Sequence, residues 1–146
     1  MGKQNQYEHT INVPLLIAGP GIPSGRRIKA QCYLRDLYPT VCELTGVKIP
    51  SSVQGTSLTP VIRGEKEELH DSIFGYFTDT QRMMRTADGW KLVSYPKTGR
   101  TQLFHVAEDP AELSDLSSDA ANSARIMAMR KGLQGFQAGL GNSAAR

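Results

Sequence analysis

The sequence predicts an α+β chain, and three observations carry that reading. An apolar run, Val13-Pro14-Leu15-Leu16-Ile17-Ala18, stops at Gly19-Pro20-Gly21 and reads as a strand buried on both faces. Two strand-like runs flank Ala87-Asp88-Gly89, and Asp-Gly between such runs is a strong hairpin signal. Ile126, Met129, Leu133, Phe136 and Leu140 step by three and four, which is the stripe of a helix laid on a sheet.

A chain of 146 residues fits one domain or parts of two. Charged residues make up 21% of it with both signs mixed, which argues against disorder. The net charge of +3 is mild and reads as an ordinary soluble surface. No basic run with interleaved aromatics occurs, so no nucleic-acid partner is expected. No apolar run approaches the length that spans a bilayer, and no charged lead with an apolar stretch opens the chain, so neither a membrane partner nor a signal peptide is expected within it. Cys32 and Cys42 fit neither a disulfide framework nor a zinc spacing, and both read as small buried apolar residues.

Taken in order, residues 27–34 alternate polar and apolar, as a half-buried strand does. Asp36 stands at an N-cap position, Pro39 falls in the first turn, and Leu37, Val41 and Leu44 form one apolar face, so 36–45 is a short helix stopped by Gly46. Ser57 caps one further turn with Leu58, Val61 and Ile62, ended by Gly64. Glu65-Lys66-Glu67-Glu68 is a charged connector that places a boundary between 1–68 and 69–146. Strands follow at 72–77, 81–86, 90–95 and 102–106. Asp109-Pro110-Ala111-Glu112 has the composition of a capping box opening a single turn, and the last helix starts near Ala120.

The opening stretch, Gly2-Lys3-x-x-x-Tyr7-Glu8-His9-x-x-x-Val13-Pro14-Leu15-Leu16-Ile17-x-Gly19-Pro20-Gly21, resembles the segment of type I sulfatases that follows their last metal-binding loop. Later patterns agree in order: Asp36-Leu37-Tyr38-Pro39-Thr40 before Gly46, Gly55-x-Ser57-Leu58-x-Pro60, Gly89-Trp90-Lys91-Leu92, Leu103-Phe104, and Asp109-Pro110-x-Glu112-x-x-x-Leu116. The resemblance covers nearly the whole chain, to about residue 118. It implies an α/β fold in which residues 1–68 are the last strands and helix of a sulfatase-type mixed-sheet domain. Residues 69–146 would then be the small antiparallel sheet packed by a C-terminal helix.

The resemblance also implies a chemistry. Sulfate-ester hydrolysis needs a nucleophile, a metal that gathers the sulfate oxygens, and cations that take up charge on the leaving oxygen. In type I sulfatases the nucleophile is a formylglycine made within a Cys/Ser-x-Pro/Ala-x-Arg motif, and calcium is the metal. This chain has no such motif: Cys32 is followed by Tyr-Leu-Arg and Cys42 by Glu-Leu-Thr. It has no acidic cluster of the calcium-binding type, and Asp36, Asp71, Asp79 and Asp88 read as cap and turn residues. Lys3 matches the family lysine that contacts the sulfate and the bridging oxygen. His9 stands where the family, at a position that varies, has a substrate-binding or supporting pocket residue, with a structural role as the alternative. Tyr7 and Glu8 read as scaffold, with Glu8 expected to pair with a base outside this chain. His70 reads as a surface residue, His105 as a packed or edge residue, and Arg82 and Arg85 as strand residues near the cleft or in solvent.

The first reading is therefore the C-terminal part of a sulfatase, with a sulfate ester as partner in the intact enzyme and no activity of its own. A stand-alone binding module and a part of a related phosphatase or phosphonate hydrolase remain as alternatives. Residues 13–18, read as a central strand without its neighbours, are expected to promote self-association.

Overall fold

A computed structural model of the chain describes residues 4–143, with side chains to residue 139. The described residues form two compact units. One joins residues up to Pro14 to those from Phe74 onward, and the other runs from Leu15 to Ile73.

The first unit is built on a four-stranded sheet, β1 (Ser72–Phe77), β2 (Gln81–Thr86), β3 (Trp90–Tyr95) and β4 (Arg100–His105), in that order across the sheet. The β2–β3 and β3–β4 pairs are antiparallel, with Met84 opposite Leu92 and Leu92 opposite Leu103. The Asp88-Gly89 hairpin is where the sequence places it, and Gly89 takes the left-handed φ of 89° that the turn needs. Strand alternation gives the sheet two unlike faces. Met83, Val93, Phe104 and Val106 build a core on one face, closed by Tyr7 and Ile11 of the N-terminal segment. Its short helix, α1, spans Glu8–Ile11. Leu92 and Leu103 face the other way and pack with Met129 and Leu133. Those two come from the last helix, labelled α4 below (Ser123–Ser143). Phe136 of that helix stacks on Phe74 with ring centres 4.3 Å apart. The helix carries its stripe as the spacing predicts, entered through a 3-10 turn at Ala120–Asn122.

The second unit holds α2 (Leu37–Thr45), entered through a 3-10 turn at Leu34–Asp36, and α3 (Thr59–Arg63). Gly46 and Gly64 end the two helices in left-handed conformation. Leu58, Val61 and Ile62 form its core, with Ile17, Ile22, Ala30, Cys32, Leu37 and Leu69 around them.

Three sequence expectations are corrected. Residues 13–18 and 27–34 are not strands: no described strand pairs with them, and Leu16 is 89% exposed. A strand exists only where neighbours satisfy its peptide groups, whatever its composition. The Asp109–Glu112 stretch is a non-helical turn in which Asp109 Oδ2 accepts from the Ser114 backbone N–H at 2.9 Å. Glu112 there has φ 55° and does not complete a capping box. The fold class stands as α+β.

Candidate functional site

Lys3 lies outside the described residues. The described part of the same segment begins at Gln4 and is tied to the sheet at several points. The Gln6 backbone N–H donates to Gln81 Oε1 at 3.1 Å. The Tyr7 hydroxyl donates to Gln102 Oε1 at 2.6 Å and lies 3.1 Å from the Tyr95 hydroxyl. Burial, and then the hydrogen bond with Tyr7, push the Tyr95 phenol well above its ordinary pKa. His9 is exposed, its ring stacked on Tyr7 at 5.8 Å and its Nε2 3.4 Å from Asn5 Nδ2.

Glu8 differs from its expectation. Its base is within this chain: Lys91 Nζ is 3.0 Å from Glu8 Oε1 and 2.8 Å from Glu112 Oε1. Arg85 Nε is 3.7 Å from the same Glu8 oxygen. Arg85 is therefore turned toward Glu8, whereas Arg82 donates to the Thr78 and Gln81 carbonyls at 2.6 and 2.8 Å. Sequence reasoning passed over Lys91 and Glu112. For Lys91 a signal was available, since in Trp90–Tyr95 it shares a face with Val93 and Tyr95, and a lysine in the middle of a core strand needs buried partners. His105 is packed, stacked on Trp90 at 4.5 Å.

In the other unit, Asp36 and His70 depart from expectation together. The Asp36 side chain is fully buried; it makes no cap bond to α2 itself but closes a capping box on the 3-10 turn Leu34–Asp36 that leads into it. It accepts from the Tyr33 and Thr56 backbone N–H groups at 2.7 and 2.9 Å and from His70 Nε2 at 2.8 Å. His70 is therefore an interior partner of a carboxylate, packed edge-on to Tyr33 at 5.2 Å. Cys42 is buried and Cys32 partly so, and neither is in a disulfide. Burial, and then the Asp36 charge, raise the Cys32 thiol pKa, which disfavours a nucleophilic thiolate there.

Among the described residues no group of three or more His, Cys, Asp or Glu could hold a metal ion. The chemistry of the buried carboxylates explains why calcium does not fit them. Asp36 already accepts from three donors, and Glu8 and Glu112 share Lys91. Nor is any helix among the described residues long and apolar enough to cross a membrane.

The family model of the C-terminal part of N-sulphoglucosamine sulphohydrolase matches residues 1–139. The chain belongs to this sulfatase family. It is 34% identical over 140 residues to a Delta 4,5-hexuronate-2-O-sulfatase of Bacteroides thetaiotaomicron, covering 87% of this chain and 28% of that protein. Human arylsulfatase K is 30% identical over 128 residues, covering 79% of this chain and 24% of the relative. A solved structure assigned as a sulfatase, also from Bacteroides thetaiotaomicron, superposes with a TM-score of 0.74 at 29% identity, over 90% of this chain and 31% of that one. The sulfatase-family chain thus spans about a quarter of the length of the curated relatives it matches. Full-length relatives of this kind imply calcium and formylglycine.

Proposed function

We propose that this chain supplies the lysine edge of a sulfate-ester site in a sulfuric ester hydrolase. Lys3 contacts the sulfate and the bridging oxygen, and His9 stands at the substrate rim. The observation that carries this reading is the family match over residues 1–139, a span that includes Lys3 and His9. As the S–O bond breaks, negative charge grows on the leaving oxygen, and a nearby ammonium stabilises it. Calcium, when bound, gathers and polarises the sulfate oxygens. The nucleophile and metal ligands are expected from residues other than those of this chain, which is by itself inactive.

The test is a hybrid in which this chain replaces the matching 28% of the Bacteroides hexuronate sulfatase. The hybrid is expected to hydrolyse a sulfate ester. Lys3→Ala is expected to lower kcat by about a hundredfold or more, and His9→Ala to raise KM a few-fold. A folded, active hybrid indifferent to Lys3→Ala would sink the proposal. So would turnover of an aryl sulfate by the chain alone.

A second reading, a non-catalytic module that docks on another chain, draws on the exposed Leu15, Leu16, Leu34 and Val41 side chains. It predicts that the hybrid folds and binds but never turns over.

A further inference from the structure

The register of β2 and β3 sets Arg85 directly opposite Lys91. Like charges so placed repel. The Lys91 side chain is also wholly buried, where an ammonium without partners is not tolerated. Its partners come from two segments distant in sequence. Glu8 Oε1 is 3.0 Å away and Glu112 Oε1 2.8 Å away. The second Glu112 oxygen reaches further and accepts the Glu8 backbone N–H at 2.6 Å. With Arg85 at 3.7 Å from Glu8, two cations face two carboxylates and the charges balance. Glu112 holds this place at φ 55°, a conformation that residues other than glycine seldom adopt.

Lys91, Arg85 and Glu112 each contact Glu8, the first residue of α1, and the next residue is His9. Four residues make a helix far too short to stand alone, and α1 has no side-chain N-cap. Exchanging a buried ion pair for apolar groups of similar volume is often neutral, so such a network is weak evidence for stability. What it fixes here is the location of one short segment.

We propose that Lys91 is a positioning residue. Through Glu8 and Glu112 it fixes α1 on the sheet and so sets where His9 is presented. It does not touch substrate. The inference rests on the reading of that segment as the edge of the sulfate site.

Two measurements test it. In the chain itself, hydrogen exchange is followed for Lys91→Met and for Glu112→Gln, which keeps the shape and removes one charge. The amides of Glu8–Ile11 are expected to exchange about tenfold faster or more, with Val93 and Phe104 nearly unchanged. In the hybrid enzyme, Lys91→Met is expected to raise KM a few-fold, as His9→Ala does, while kcat stays within about twofold. If Lys91→Met fails to fold, Glu112→Gln decides alone. Unchanged exchange in α1 overturns the positioning role, as does protection lost equally across the sheet, which would make Lys91 a general core residue. An inactive unmodified hybrid overturns the reading of the site instead, and the exchange experiment keeps the two failures apart.

Discussion

His70 Nε2 stands 2.8 Å from Asp36 Oδ2, and the carboxylate it meets is fully buried. The same carboxylate takes the Tyr33 and Thr56 backbone N–H groups, so a single side chain gathers the entry to α2, the loop before α3 and the end of the charged connector. Removing it leaves three donors without their acceptor. Asp36→Ala is expected to destabilise the Leu15–Ile73 unit by about 3 kcal/mol in urea unfolding. His70→Ala should cost less, because two of the three bonds survive. A double-mutant cycle should show coupling of about 1 kcal/mol; additive losses would mean the contact carries no energy of its own.

The Asp36 result marks where sequence reading ends. Local signals were legible: the Asp88-Gly89 hairpin, the glycines that end α2 and α3, and the 126–136 stripe are all set by residues within a few positions of one another. The buried roles of Glu112 and Lys91, and the reach of Asp36 beyond its local bond with Tyr33, were not, because those partners are distant in sequence. Asp36 and Glu112 also have the composition of caps, and no local pattern distinguishes an acid that caps a turn from one that turns inward. The apolar run at 13–18 failed for the converse reason. It has the composition of a core strand, but pairing depends on neighbours that no local pattern specifies. His9 entered through the family pattern alone, and the structure adds that it is exposed.

The close approach at the β2–β3 hairpin can be weighed separately from its backbone conformation. Gly89 has φ 89°, and a Cβ there would stand 2.6 Å from the Ala107 Cβ. Gly99 has φ 71° with nothing within 4 Å. Gly99→Ala is expected to cost about 1 kcal/mol, the strain alone. Gly89→Ala should cost about 1 kcal/mol more, from overpacking. Adding Ala107→Gly should recover that second part and not the first. Recovery of the whole loss, or of none of it, in thermal unfolding would contradict this division.

The tyrosine pair on the α1 face predicts a pH dependence at the alkaline end. Burial and the Tyr7 hydrogen bond raise the Tyr95 pKa above its ordinary 10.0. A raised pKa for a group that ionises to an anion means that the folded state favours the neutral phenol. The stability it contributes is therefore complete below pH 10, and is lost as pH rises above that value through the folded pKa. Phenolate absorbance should show one tyrosine that ionises late, together with unfolding. Tyr95→Phe should remove that late step and flatten the fall in stability above pH 10. A Tyr95 that titrates with the exposed tyrosines would contradict the arrangement.

The exposed apolar run leads to the last prediction. Val13 is 60% exposed, Leu15 45% and Leu16 89%, and no described strand pairs with residues 13–18. Apolar side chains in sequence beside unpaired peptide groups are a template for another chain. Self-association through this run is therefore expected, and it should grow with protein concentration in light scattering. Replacing Leu15 and Leu16 together by Ser removes the apolar part of the template and leaves the rest of the chain unchanged. The double variant should scatter less and bind less of a dye that reports apolar surface, while its far-ultraviolet circular dichroism stays the same. A parent chain that remains monomeric with little dye binding would refute this. So would a double variant that associates as strongly as the parent, which would point to exposed Tyr38 and Val41 of α2 and Leu34 of the turn before it instead.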